Sequence, residues 1–285
     1  MSPAALLLVL GAAVCHATWN LLVKSQPRPL EVQAGALVLG VVLTSPVLLV
    51  YPLADMTPAA WLLVLLSALF ETGYVFALSA AYAAGDLSLV YPVARGTAPL
   101  VVAPLAVALF GEPVSPQGGL GILLVVAGIC VTHAGALRAW VAAAGSRRAL
   151  GLALLSGVMT AAYSLVNRQG IREAPVPLYG FLVLLINVTL LGLALGLRRR
   201  LTWPPARPAS WGRIGLVSVL MIVAYLAVLF AMARAPVGYV VAAREVSIVV
   251  AALLGALVLR ERHSGARLAG AVLIFAGLAA IALSR

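Results

Sequence analysis

The chain has 285 residues, of which 64% are hydrophobic and 9% charged. A soluble domain carries about a quarter charged residues, so this composition excludes a water-soluble globular protein. The formal net charge of +11 does not indicate a nucleic-acid partner, because the basic residues fall between apolar segments and are not interleaved with aromatics.

Runs of about 20 apolar residues recur along the chain, the length needed to cross a hydrocarbon core of about 30 Å. Ten spans are predicted, at 3–23, 30–51, 58–83, 88–110, 117–137, 150–169, 177–197, 211–233, 237–259 and 266–283. No basic stretch precedes the first, so it reads as a membrane helix rather than a cleaved signal. Short connections rich in Pro, Gly or charge follow, such as Gln26-Pro27-Arg28-Pro29, Gly85-Asp86 and Gly111-Glu112-Pro113. Links this short make successive helices neighbours. Cys15 and Cys130 lie inside apolar segments and read as small core residues, with no disulfide framework or metal-ligand spacing.

The chain repeats itself. A shift of 149 carries Arg95 onto Arg244, Glu112 onto Glu261, Gly121 onto Gly270 and Gly128 onto Gly277. A shift of 144 carries Trp19 onto Tyr163 and Lys24 onto Arg168. Two five-span units are therefore expected, at 1–137 and 150–285, joined by a linker at 138–149. Five is odd, so the second unit enters the membrane from the opposite side. The fold class predicted is all-α and polytopic, with ten transmembrane helices as two inverted five-helix repeats. Lys and Arg number thirteen in loops after odd spans against four after even spans and at the C-terminus, which puts the termini outside the cell.

An ionisable residue at mid-span costs about 2.5–3.5 kcal/mol on insertion scales, so it faces the bundle or a wet cavity. The candidates are His16, Glu71, Arg95, Arg244 and Glu245. Each arginine lies roughly 6 Å from the midplane of its span, and inversion sends the two displacements to opposite faces. Guanidinium grips carboxylate or phosphate in a two-pronged way, so Arg95 and Arg244 are candidate ligands for an anionic or zwitterionic solute. The competing reading pairs each with Glu71 or Glu245 as a structural tie. Trp19, Tyr74, Tyr91 and Tyr163 are candidate wall residues. Glu71 and His16 are candidates for proton coupling, and each is also explained as a helix-to-helix tie. Pro92, Pro99 and Pro104 interrupt the backbone bonding of span 4, whereas span 9 has Val241, Ile248 and Leu253 at the matching positions. Span 4 is expected to be the bent or bendable member of the pair, with Pro92 and Pro99 as hinge. Glu112 and Glu261 sit at span ends, where capping and surface pairing account for them.

Trp19 with Lys24, the Tyr91-Pro92 start of span 4, and Gly111-Glu112 before the glycine-rich span 5 carry a further signal. With the duplicated five-span unit, they make the chain resemble the EamA-type branch of the drug/metabolite transporter superfamily over nearly its whole length. Arg260-Glu261 departs slightly from the Gly-Glu of the first copy. The resemblance implies secondary transport of a small metabolite, often an amino acid, by alternating access and usually as export, from the inner membrane of the cell. It also implies cytoplasmic termini, against the charge tally. Half-sized multidrug exporters of the superfamily use a glutamate in the first helix to bind cations; span 1 here has His16 and no acidic residue. No cofactor or metal is expected, and the partners are a small-molecule solute, membrane lipids and protons, with no nucleic acid and the chain acting as a monomer. The alternatives are a flippase for an anionic lipid, a lipid-modifying enzyme and a membrane scaffold. The enzyme lacks a nucleophile–base or metal constellation, and the scaffold leaves the buried arginines unexplained.

Overall fold

A computed structural model describes residues 1–24, 26, 29–85, 87–135, 138, 146–197, 211–259 and 265–284. The described residues are helical, without strands. The helices are α1 (Pro3–Lys24), α2 (Pro29–Thr44, running into a 3-10 turn at Ser45–Leu49), α3 (Pro58–Ala84), α4 (Leu87–Phe110), α5 (Pro116–Thr132) and α6 (Arg147–Glu173). They continue as α7 (Val176–Leu197), α8 (Trp211–Met232), α9 (Val237–Ala243), α10 (Val246–Leu259) and α11 (Gly265–Leu283). Eight of them are long and apolar enough to cross a membrane. The shorter α5, and α9 with α10 taken together, supply the other two of the ten predicted spans. The amino group of Met1 donates to the carbonyl of Ser284 at 3.2 Å. The start of α1 and the end of α11 are thus on one side, as an even number of crossings requires.

Local chemistry sets the helix ends. Thr57, Ser115 and Ser146 each accept a backbone N–H three residues on, at 3.1, 3.2 and 3.2 Å, as side-chain N-caps. Pro58 and Pro116 occupy the first helical position of α3 and α5, where a missing N–H costs nothing. Gly111 closes α4 at φ +63°, with its N–H on the carbonyl of Val107, a left-handed turn that glycine adopts most easily. That turn aims Glu112 inward.

The packing follows the repeat. α1 lies against α8 as α6 lies against α3; α2 meets α8 as α7 meets α3; α1 meets α9 and α10 as α6 meets α4. Exchanging the first five helices for the second five therefore leaves these neighbours unchanged. The axis of that exchange passes between α5 and α11. A Cβ built on Gly121 would stand 2.7 Å from the carbonyl oxygen of Gly277, and one on Gly277 would stand 2.6 Å from that of Gly121. Gly128 and Gly270 show the same reciprocal pair at 2.7 and 2.6 Å. Each glycine faces the repeat-mate of the other, two helical turns apart, so the backbones approach closely there, with Val125, Thr132, Ile274 and Ile281 packed around them.

The outer surface is apolar, with Leu7, Leu65, Leu123 and Val272 exposed, as a lipid-facing surface requires. Cys130 is on this exposed surface and Cys15 is half-buried, which corrects their reading as core residues. Span 9 is also corrected. It is not one regular helix but two, while α4 is assigned as helix straight through Pro92, Pro99 and Pro104. Spans 2 and 5 are shorter as α-helix than predicted, and most of the 138–149 linker lies outside the described residues.

The glycine seam yields a prediction. Gly277→Val would drive its side chain into backbone atoms that cannot move aside, and should lower stability by about 1–3 kcal/mol or more. Gly151→Ala, in open space within α6, should raise it by up to about 1 kcal/mol through helix propensity. Thermal unfolding in detergent measures both.

Candidate solute-binding site

The site begins with the join of α9 and α10. Two charged residues follow each other there at mid-span, and the backbone tightens around them. Glu245 N–H bonds to Ala242, Ser247 to Arg244 and Ile248 to Glu245, each three residues back at 3.0–3.1 Å. A short 3-10 stretch inside a longer helix changes the direction of its side chains and is a frequent mark of a functional hinge.

The tightening delivers Glu245 to Arg95 on α4. Arg95 Nε is 3.1 Å from Glu245 Oε2, and Arg95 Nη2 donates to Ser247 Oγ at 3.1 Å. The guanidinium also stands 5.9 Å from the centre of the Tyr91 ring. The two charges touch without an aligned N–H···O bond, so Arg95 Nε and Glu245 Oε2 both keep unused bonding capacity. Arg95 is thus tied by a carboxylate and a hydroxyl of the opposite repeat.

Arg244 differs. Half-buried at the join, it makes no side-chain hydrogen bond or ion pair among the described residues. Glu71 is likewise half-buried and unpaired among them, on the α3 face that carries the buried Val64, Ser67 and Ala68. The Tyr225 hydroxyl of α8 is buried with no hydrogen-bond partner. Arg244 lies within electrostatic range of His16, Glu71, Tyr225 and Glu245. Arg95 lies in range of His16, Tyr74, Tyr82, Tyr91 and Tyr163. The rings of Tyr74 and Tyr163 meet edge-on at 6.2 Å, and His16 meets Trp19 edge-on at 5.1 Å. His16, Glu71, Tyr74 and Arg244 are half-buried, whereas Tyr163 and Glu245 are buried.

A second ion pair joins the repeats nearer one membrane face. Glu112 is 5% exposed, which corrects its reading as a surface cap. Its Oε1 accepts from Arg168 Nε on α6 at 2.5 Å, and its Oε2 accepts from the N–H of Val237, the first residue of α9, at 2.6 Å. Arg168 also donates to the carbonyl of Met232 at the end of α8. One carboxylate therefore fastens the ends of α4, α6, α8 and α9. The sequence held a signal for it, since one acid (Glu112, Glu261) and one base (Lys24, Arg168) recur in both repeats. Glu261 lies outside the described residues, as do Arg260 and the Lys24 side chain.

The structure brings together most of the predicted site residues, around Arg95 and Arg244. It adds Ser247 and the open hydroxyl of Tyr225. Nothing in the sequence singled out Ser247, a lone serine in an apolar helix. Pro92 and Pro99 lie within unbroken α4, and the change of backbone geometry falls at Arg244–Glu245 instead.

The model of the EamA-like transporter family matches residues 3–133 and again 147–283. The chain belongs to the EamA-like transporter family. This makes it a multi-pass membrane protein of transporter type, with the family unit present twice. A solved crystal structure aligns with a TM-score of 0.79 at 21% identity, covering 99% of this chain and 98% of that one, which supports the ten-helix fold. A comparison with curated proteins finds no match.

The Arg95–Glu245 pair of this EamA-like protein yields a prediction. Glu245→Gln or Arg95→Gln alone leaves one uncompensated buried charge and should cost about 3–5 kcal/mol of stability. The double variant should recover most of that loss. Thermal unfolding of the two single variants and the double variant gives the coupling directly.

Proposed function

We propose that this protein is a secondary transporter of a small metabolite bearing a carboxylate or phosphoryl-type group. The solute sits between the repeats, and one repeat rocks against the other around it. The observation that carries this reading is Arg244, a guanidinium at mid-span that makes no ion pair among the described residues and has His16, Glu71 and Tyr225 in electrostatic range. An unpaired charge at that depth is costly, and an anionic solute group offsets the cost. Arg95, tied to Glu245, sets the second wall with Tyr91, and Tyr74, Tyr163 and Trp19 supply stacking surface. His16 and Glu71 are the groups available to exchange a proton with the two aqueous sides. Export from the inner membrane is the direction and place this reading takes from the family, and a monomer is the state it takes from ten spans sufficing for a complete site.

Flux of organic acids, amino acids and phosphonates into proteoliposomes tests it. Arg244→Gln should fold normally and reduce transport by about 10–100-fold, the worth of a charge-assisted bond of roughly 1.5–3 kcal/mol. Transport at the parental rate in Arg244→Gln would sink the reading, since the residue then contacts no solute. A fluorescent anionic lipid in the same vesicles distinguishes a flippase.

A further inference from the structure

The two-fold relation of the repeats fails on one side of the membrane. Exchange of the units carries α6 onto α1, α8 onto α3, and α9 onto the start of α4. Among the described residues α6 meets α8 and α9, but α1 makes no contact of that extent with α3 or α4. Likewise α9 meets α5, whereas α4 makes no such contact with α11. The contacts without a mate involve the ends of α4, α6 and α8 and the starts of α5 and α9, on the side of the termini. Burial follows the same division. Val237–Ala243 of α9 is buried throughout, as are residues 178–183 of α7. Towards the other side Trp19 and Tyr82 are half-buried and Asn20 is exposed.

We propose that the turn between α8 and α9 is the gate of the terminus side, and that Glu112 and Arg168 are the latch that holds it shut. This rests on the transporter reading above and names the part that moves when that side opens. The ion pair grips the turn at both ends. Arg168 donates to the carbonyl of Met232, the last residue of α8, and Glu112 accepts from the N–H of Val237, the first residue of α9, at 2.6 Å. Helix ends leave such groups without an intrahelical partner, and water satisfies them nearly as well once they are exposed. The clasp can therefore break and re-form without leaving a buried group unpaired. Deeper in, the contacts are small and separable. A Cβ built on Gly238 would stand 3.1 Å from that of Ala103 on α4, and the Tyr239 hydroxyl accepts from the N–H of Ser115 at 2.9 Å. At its inner end α9 stops at Arg244, where the ladder tightens to bonds three residues back. A short helix latched at its outer end and joined by a 3-10 stretch at its inner end has its pivot at that stretch.

The test locks the gate and then loosens it. Ala103→Cys with Gly238→Cys, in protein carrying Cys15→Ala and Cys130→Ala, brings two thiols within disulfide reach. Forming that disulfide should slow counterflow of leucine, phenylalanine and their 2-hydroxy acids in proteoliposomes by at least about tenfold. Reduction should restore the rate, and either cysteine alone should leave it insensitive to oxidant. Transport at the reduced rate's value in the cross-linked protein overturns the gate, because α4 and α9 then never part. If the double-cysteine variant fails to fold, nitroxides at Leu109→Cys and Arg234→Cys, both exposed positions, read the distance from the end of α4 to the turn. Glu112→Gln with Arg168→Gln removes the latch without leaving a lone charge, and should roughly double the share of a longer distance or raise it further. An unchanged distance distribution overturns the latch. A parent protein that moves none of these compounds, nor any organic acid or phosphonate, overturns the transporter reading itself, and the nitroxide pair still decides whether the turn opens.

Discussion

A charge held in hydrocarbon must be met by another charge, and that constraint organises this molecule. Each interior charge costs a few kcal/mol on insertion scales, a large part of the net stability of a folded chain. Among the described residues two ion pairs meet the cost, Arg95 with Glu245 and Arg168 with Glu112. Each joins one repeat to the other. The charges are therefore stitches across the plane along which the halves would have to move, one at mid-depth and one where four helix ends converge.

The seam between α5 and α11 is built on the opposite principle. At its two glycine pairs a Cβ on any of the four glycines would meet the backbone carbonyl of its partner within 3 Å. Lipid tails are as apolar as leucine, so helices in a bilayer gain little from burying leucine against leucine and more from close backbone approach. Reciprocal glycine contacts around a two-fold axis have no slack for sliding, because every shift brings a Cα against a carbonyl. Backbone contact at the axis and ion pairs away from it thus divide the joints between the repeats into two kinds.

This division explains what the sequence could and could not disclose. Span length, the 149-residue shift and the glycines were legible, because they depend on length and identity alone. Which face of each helix turns inward was not. In a soluble helix the buried face is apolar and the exposed face polar, but here both are apolar, so Cys130 gave no sign that it faces outward. The change of backbone geometry at the join of α9 and α10 was hidden for a related reason. Proline removes a backbone donor, and span 4 has three, yet α4 is assigned as helix through all of them while the ladder tightens at Arg244–Glu245. The pull of Glu245 toward Arg95 is a tertiary effect that local propensity does not contain. Glu112 was misread similarly, as its burial depends on the turn at Gly111 and on two helices far along the chain.

The deepest information lay where the repeat fails. Duplication supplies two arginines in equivalent positions, and strict symmetry would give both the same partners. Glu245 and Ser247 exist only in the second copy, and Glu71 only in the first. Divergence at three positions breaks that symmetry at the charges while leaving the shared neighbours of the two five-helix units unchanged.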